Sequence, residues 1–308
     1  MITRREWIRI AGGAAAAAAA GLDAAAAARH RAQGAEARPT FCLFSKHLPE
    51  LAWADVGRVV RDTGFDGVDL TVRPGGHVLP ERAAEDLPRA IDAITSQGVG
   101  VPMVTTDLTT AENPHAKPLL MAAARHGVRY FKTGYWHYRT ADVRGQLAAT
   151  ADALAGLAAL ARDSGIQLGF HNHAGYVGAA LWDVAPVMDR LDPAWAGYYF
   201  DPRHAVADGG GGAFRAATHL VVPRLKMVAL KDCLWEKTAK GWRLENCPLG
   251  SGMVDWAWMG EAIQGAGFAG PISLHLEYEI PAATPAERTR ATLHAAERDL
   301  AVARRFFA

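Results

Sequence analysis

The stretch Gly197–His204 (GYYFDPRH) is a short apolar segment that ends in a polar cluster. Three other segments repeat this pattern: Gln167–His173 (QLGFHNH), Lys226–Asp232 (KMVALKD) and Pro271–Glu279 (PISLHLEYE). Consecutive segments begin about thirty residues apart, with a longer gap before the last one, which is the room that a strand–helix–strand unit needs. Parallel strands that end in His, Asp, Lys and Glu at one edge predict a single active site.

Four earlier strands complete the pattern. They are Thr40–Ser45, Gly67–Val72, Gly100–Thr106 and Tyr130–Gly134. Amphipathic runs between the strands have the three- and four-residue spacing of helices, as in Asp55–Thr63, Leu87–Ser96, Val143–Ser164 and Ala286–Phe307. Alternating strands and helices favour an α/β fold, and eight such units favour closure into a single (β/α)8 barrel. An open doubly wound sheet is disfavoured because no GxGxxG follows the first strand. The glycine run Gly209–Gly212 is expected to form a loop over the barrel mouth.

The first 38 residues are interpreted as a targeting segment rather than as part of the folded domain. Arg4 and Arg5 precede an Ala- and Gly-rich apolar run that contains Asp23. This arrangement is typical of a signal peptide of the twin-arginine type and predicts a periplasmic or secreted protein without a permanent membrane span. We therefore expect residues 1–38 to be the signal and linker, and residues 39–308 to form the barrel.

Composition limits the partners that this chain is expected to have. Half of its 308 residues are hydrophobic and the formal net charge is +1, so the core is ample and no basic face indicates nucleic acid. Cys42 is expected to be buried in a strand, whereas Cys233 and Cys247 flank one loop and could form a disulfide in an oxidising compartment. We expect a small polar molecule as substrate and leave open whether the chain forms a homo-oligomer.

The polar strand ends supply the candidate site residues. His171 and His173 share one face of the fifth strand, and Asp201 is followed three residues later by His204. Lys231 ends the seventh strand, and Glu277 lies in the apolar run of the eighth. Imidazole and carboxylate groups can hold a divalent metal or move a proton next to a carbonyl. Candidates for the sugar pocket at the rim are Lys46, His47, Lys132, Trp136 and Arg139.

Several motifs carry a resemblance to a known family. They are Gly64–Leu70 (GFDGVDL), His171–His173 (HNH), Asp201–His204 (DPRH), Leu230–Asp232 (LKD), Leu249–Gly252 (LGSG) and Leu276–Glu279 (LEYE). In this order, across residues 39–308, the chain resembles the xylose isomerase-like TIM barrels of the sugar phosphate isomerase/epimerase superfamily.

That resemblance implies a divalent metal, Mn, Zn, Co or Mg, held at the ends of strands five to eight. Asp201 and Glu277 match the ligands of strands six and eight, and His171 occupies the position of a carboxylate ligand on strand five. The sequence departs from the pattern at Ala229, where the family has a histidine. Three ligands with extra water, substitution by His173 or His204, and loss of the metal remain open.

The resemblance implies an isomerase or epimerase acting on a free or oxidised sugar by proton abstraction next to a carbonyl. Glu277 or a histidine, from His173 or His204, would carry the proton, and Lys231 or a metal would stabilise the enediolate. Alternatives are a keto-sugar lyase or dehydratase, or an eliminating deglycosidase, with the same first step. A third possibility is a sugar-binding barrel without catalysis.

Overall fold

The computed structural model describes residues 38–139 and 141–307. Its barrel strands, numbered with all strands in chain order, are β1 (Thr40–Phe44), β2 (Gly67–Val72), β3 (Gly100–Thr106), β4 (Tyr130–Lys132), β5 (Gln167–His171), β6 (Ala196–Phe200), β7 (Leu225–Leu230) and β10 (Pro271–Leu274). They pair in parallel and close in the order β1-β10-β7-β6-β5-β4-β3-β2. The predicted single (β/α)8 barrel is therefore confirmed.

Helices follow the strands on the outside of the barrel. They are α1 (Trp53–Asp62), α2 (Ala83–Thr95), α3 (Ala116–Arg125), α4 (Val143–Ser164), α5 (Ala185–Met188), α6 (Pro202–Val221), α7 (Trp256–Gly265) and α8 (Pro285–Phe307). Short 3-10 turns span Ser45–His47, Pro80–Arg82 and Val222–Arg224. Helix α4 has the predicted bounds because both ends carry local signals: the Asp142 side chain accepts from the Gly145 N–H, and Gly165 ends the helix in the left-handed conformation.

The core has two parts. The larger part fills the space between the strands and the helices, and the smaller part lies inside the barrel and consists of Met103, Tyr199, Met227 and Ala229. Ala229 is fully buried there. The strand-seven position that the family pattern gives to a histidine thus faces the barrel interior and holds a methyl group.

An antiparallel hairpin that the sequence did not predict follows the seventh barrel strand. It consists of β8 (Asp232–Thr238) and β9 (Gly241–Cys247). Cys233 pairs with Asn246 and Cys247 with Asp232, so the two cysteine side chains point to opposite faces of the hairpin. Both are free thiols, and the disulfide considered for them is not formed.

Asp232 connects the hairpin to the loop that precedes α7. Its buried carboxylate accepts from the backbone N–H groups of Cys233, Gly250, Gly252 and Val254, and from the indole N–H of Trp256 at 2.9 Å. A Cβ at Gly252 would collide with this carboxylate, so the LGSG motif needs a glycine at that position. The LKD and LGSG motifs therefore form one structural clamp.

The glycine run Gly209–Gly212 lies within α6 rather than in a loop over the barrel mouth. The helix bends at Gly210, whose φ of 65° and ψ of −170° are not helical. Phe214 and Ala217, just beyond the bend, are buried in the core. Their packing outweighs the low helix propensity of four glycines, which is why the loop prediction was wrong.

The predicted twin-arginine signal lies outside the described residues. Within the part of the chain that the structure describes, no helix is both long and apolar enough to span a bilayer.

Replacing Asp232 by Ala should lower the free energy of unfolding by about 3–5 kcal/mol, because several buried N–H groups lose their acceptor together. Glu236→Ala is the matched control, since Glu236 lies exposed on the same strand, and its effect should stay within about 0.5 kcal/mol. Urea denaturation of the two variants measures both values. Equal stability of the two variants would contradict the assigned role of Asp232.

Candidate active site

A cavity of about 340 Å³ opens at the carboxyl ends of the barrel strands. The predicted residues that line it are Lys46, Lys132, His171, His173, His204, Lys231 and Glu277. Asp201 lies just beneath them, fully buried and in contact with Lys231, His171 and His204. The structure thus brings these predicted residues together, because parallel strands deliver their last side chains to one end of the barrel.

The centre of the site is the ion pair between Asp201 and Lys231. The Lys231 Nζ lies 2.9 Å from Asp201 Oδ2. Burial alone would raise the pKa of Asp201, but the charge of Lys231, with hydrogen bonds from Lys231 and from the His204 N–H, outweighs burial and holds that pKa below its usual value. Asp201 is therefore a carboxylate that only accepts hydrogen bonds.

The backbone around Asp201 is fixed from two sides. The Asn172 side chain donates to the Asp201 carbonyl at 2.9 Å and accepts from the Asp201 N–H at 2.8 Å. Asp201 is also the N-cap of α6, where its Oδ1 accepts from the His204 N–H and Pro202 takes the first helical position. The DPRH motif therefore places His204 one turn away from its carboxylate.

The protons on His171 follow from its partners. Its Nε2 lies 3.2 Å from Asp201 Oδ2 and its Nδ1 lies 3.0 Å from the Tyr135 hydroxyl. Because the carboxylate only accepts, Nε2 carries the proton and Nδ1 accepts from Tyr135. Burial, then the charges of Lys231 and Lys132, hold the pKa of His171 well below its usual value, so the ring is neutral.

The Arg203 side chain fixes the tautomer of His204. Its Nδ1 lies 3.0 Å from Arg203 Nη1. A guanidinium can only donate, so Nδ1 accepts and the neutral ring carries its proton on Nε2. That Nε2 is buried, 3.6 Å from Asp201 Oδ2, and has no hydrogen-bond partner among the described residues. His173 packs against the same ring, with centroids 3.9 Å apart.

At His275, directly after β10, the ring nitrogen without a partner is an acceptor instead of a donor. The Tyr199 hydroxyl donates its only proton to Asp69 and therefore accepts from His275 Nε2 at 3.0 Å. This leaves His275 Nδ1 as an unprotonated acceptor, buried and without a hydrogen-bond partner in residues 38–139 and 141–307. It lies 3.9 Å from Glu277 Oε1. Burial, then the charge of Lys231, holds the pKa of His275 well below its usual value.

Glu277 is held by Lys46, whose Nζ contacts its two carboxylate oxygens at 3.0 and 3.1 Å. Burial would raise the pKa of Glu277, but Lys231 and then Lys46 outweigh burial and lower it. The carboxylate is thus ionised at neutral pH and can accept a proton.

Asp69 lies at the base of this arrangement, within the barrel. It accepts hydrogen bonds from Thr105 at 2.7 Å and from Ser273 at 2.8 Å. Burial raises the pKa of Asp69 to about 6, against the opposing effect of these hydrogen bonds. Its carboxylate therefore orients Tyr199 and, through Tyr199, His275.

The residues present do not fit a resident divalent ion. The ammonium of Lys231 is bonded to the Asp201 carboxylate, Lys46 holds Glu277, and the two ring nitrogens of His171 already have partners. Ala229 supplies no donor. Within the described part of the chain, no group of three or more His, Cys, Asp or Glu side chains is placed to hold a metal. An ion beside Asp201 would also be repelled by the ammonium.

Three predicted pocket residues do not line the cavity. His47 Nε2 accepts from the Leu276 N–H at 3.0 Å, and burial lowers the pKa of His47 to about 4, so it anchors the start of the loop after β10. Trp136 stacks on Phe170 with ring centroids 5.9 Å apart. Arg139 is exposed, and its backbone N–H and carbonyl form hydrogen bonds with the Gln146 side chain.

The cavity also contains residues that the sequence prediction missed. They are Phe44, Arg73, Thr105, Tyr135, Tyr199, Arg203, Asn246 and His275. Arg73 directly follows β2 and His275 directly follows β10, so the rule that predicted the other strand ends could have found both. Asn246 comes from the unpredicted hairpin, where it accepts from Arg203 and donates to the Glu277 carbonyl.

Comparison with known proteins agrees with this architecture. A family model described as xylose isomerase-like TIM barrel matches residues 15–298. An inosose dehydratase from Bacillus anthracis (strain CDC 684 / NRRL 3495) is 34% identical over 82 residues, which is 27% of this chain and 27% of the dehydratase. This curated relative is therefore matched over only a small part of its length.

Two solved structures share the fold at low sequence identity. D-psicose 3-epimerase from Clostridium cellulolyticum H10, with D-tagatose, has a TM-score of 0.67 at 14% identity, over 87% of this chain and 99% of that one. The IOLI protein with a bound zinc atom has a TM-score of 0.67 at 13% identity, again over 87% and 99%. The family model covers most of the chain, and this chain accordingly belongs to the xylose isomerase-like TIM barrel family.

Proposed function

We propose that this protein is a sugar isomerase or epimerase that removes a proton next to a carbonyl. One observation carries the proposal: residues that carry proton acceptors and proton donors line one cavity. The acceptors are Glu277 and His275 Nδ1, and the donors are Lys231 Nζ and His204 Nε2. The family and the name of the epimerase that shares the fold support a sugar as substrate.

In the first step the C–H bond next to the carbonyl breaks and its proton moves to Glu277. The electron pair of that bond forms a carbon–carbon double bond, and the carbonyl oxygen gains the negative charge. Lys231 and the His204 Nε2–H donate to that oxygen, and such donors are worth most in a site shielded from water. Return of a proton to the other face, or to the neighbouring carbon, gives an epimer or an isomer.

Lys231 supplies the positive charge that a divalent ion would otherwise supply at this position. Asp201 holds the ammonium 2.9 Å away, and His171 and Asn172 hold Asp201. The ammonium therefore needs little rearrangement when negative charge develops on the substrate oxygen. We propose on this basis that the proton transfer does not depend on a metal.

Elimination is the second candidate, and the segment shared with inosose dehydratase favours it. The first step is the same. The enediolate would then expel a hydroxyl group from the next carbon, and the loss of water requires a proton donor at that group. His173 and His204, whose ring centroids lie 3.9 Å apart, form the only pair of cavity histidines in such close contact within the described residues.

Hydrogen exchange tests the proposed proton transfer. In D₂O the protein should exchange the proton next to the carbonyl of at least one of D-fructose, D-tagatose and 2-keto-D-gluconate, measured by ¹H NMR. Glu277→Gln should slow that exchange about 100- to 10,000-fold, because the amide cannot accept the proton. Glu279→Gln is the matched control, since Glu279 is exposed two residues later, and should keep the wild-type rate.

Exchange on none of these sugars, with folded protein, would favour a sugar-binding barrel without catalysis. Exchange that Glu277→Gln leaves unchanged would refute the assigned base. Exchange accompanied by loss of water from the sugar would select elimination.

Metal removal tests the role of Lys231. Dialysis against EDTA should leave the exchange rate within twofold of the untreated protein, because the ammonium already occupies the Asp201 carboxylate. Loss of exchange on dialysis, with recovery after addition of Mn²⁺, Mg²⁺, Zn²⁺ or Co²⁺, would show that an ion displaces Lys231.

A further inference from the structure

The charges that line the cavity do not balance. Its cationic residues are Lys46, Arg73, Lys132, Arg203 and Lys231. Lys46 and Lys231 are paired with carboxylates. Arg203 binds neutral partners, the Asn246 side chain and the His204 ring. Arg73 and Lys132 remain, and neither side chain has a hydrogen bond or an ion pair within residues 38–139 and 141–307.

The Lys132 side chain is unusually buried for a lysine without an ion pair. The residue is 2% exposed, at the end of β4, and its Nζ lies 3.6 Å from the centroid of the Tyr135 ring. Burial, then the charge of Arg73, holds the pKa of Lys132 well below its usual value. The charges of Asp69 and Asp107 offset burial only in part, and an anionic ligand in the cavity would stabilise the protonated form of Lys132.

Arg73 is the second cation, close enough for its charge to lower the pKa of Lys132. It directly follows β2, and its guanidinium lies over the Phe44 ring, with Cζ 5.7 Å from the ring centroid. A planar guanidinium held on an aromatic face keeps its donors free for an in-plane partner, and a carboxylate offers two oxygens with matching spacing.

The position of Lys132 orients a ligand. In the closed barrel, β4 lies directly across from β10, and β2 lies two strands away from each of them. The proton acceptors Glu277 and His275 follow β10, on the other side of the mouth from Lys132. An anionic group bound by Lys132, with Arg73 at the rim between the two sides, would therefore direct the other end of a small molecule toward Glu277.

We infer that the substrate is a sugar acid whose carboxylate is held by Arg73 and Lys132 while its carbonyl faces Lys231 and Glu277. This inference rests on the proposed function for the carbonyl end only. A sugar phosphate would present the same negative charge, but no glycine lines this cavity among the described residues, so a glycine-rich backbone cradle for a phosphate is absent there.

Binding of unreactive probes tests the carboxylate site without any turnover. D-gluconate has no aldehyde or ketone group and cannot undergo the proposed reaction, sorbitol is its neutral counterpart, and sorbitol 6-phosphate supplies the phosphate. Isothermal titration calorimetry with the whole protein should give D-gluconate an affinity at least tenfold above those of both other probes. Equal or tighter binding of sorbitol, or absence of D-gluconate binding, would overturn the inference, and tighter binding of sorbitol 6-phosphate would reassign the site to phosphate.

Variants locate the site. Arg73→Gln should weaken D-gluconate binding about 10- to 100-fold, the effect of losing a hydrogen bond to a charged group. Arg125→Gln is the matched control, because Arg125 is exposed in the last turn of α3, and should bind D-gluconate like the wild type. Lys132→Met is a second variant, tested after circular dichroism confirms its fold, with the same expected loss. Unchanged binding in Arg73→Gln would overturn the assignment.

The two proposals fail in different ways. Proton exchange on a neutral ketose, without tighter binding of D-gluconate than of sorbitol, would leave the proposed function intact and remove the sugar-acid inference. Tight D-gluconate binding that depends on Arg73, with no exchange on any probe sugar, would leave the anion site intact and remove the proton-transfer chemistry.

Discussion

The buried ion pair between Asp201 and Lys231 is the interaction on which the rest of the site depends. Removing two opposite charges from water is costly, and only close contact with full hydrogen bonding offsets the cost. Asp201 meets this requirement, with Lys231, His171 and the His204 N–H as donors. Loss of either charge would leave the other one buried alone, at a cost of about 3–5 kcal/mol. The pair therefore holds the ends of β6 and β7 together and positions His171 and His204 beside them.

The consequence for chemistry is that two histidines of the same cavity have opposite roles. Arg203 makes His204 a donor at Nε2, whereas Tyr199 and Asp69 make His275 an acceptor at Nδ1. Each tautomer is set by a partner that can only donate or can only accept. A site with a fixed donor on one side and a fixed acceptor on the other is suited to moving protons at a carbonyl compound, with Lys231 stabilising the charge between them.

Much of the fold could be predicted from the sequence, because parallel strands in this chain are apolar segments that end in polar clusters. The site residues on strands five to eight were found for the same reason. The hairpin after β7 was missed because its strands are largely exposed and lack the continuous apolar run that marked the barrel strands. The glycine run in α6 was misread because tertiary packing of Phe214 decides that segment.

Finer properties of the site could not be read from the sequence. The misfit between the predicted ligands and a metal arises from contacts across the barrel, such as Lys46 with Glu277, which lie far apart in the chain. The surplus of positive charge at Arg73 and Lys132 likewise depends on which carboxylates the other cations contact. Histidine protons follow from hydrogen-bond partners that only the folded chain brings together.

The most direct test of this account is ¹⁵N NMR of histidine-labelled protein at neutral pH, with resonances assigned from single His-to-Gln variants. Two-bond ¹H–¹⁵N correlations report which ring nitrogen carries the proton. We predict a protonated Nε2 and a bare Nδ1 in His204, His171 and His275 alike. A proton on Nδ1 of His204 or of His275 would contradict the division into donor and acceptor.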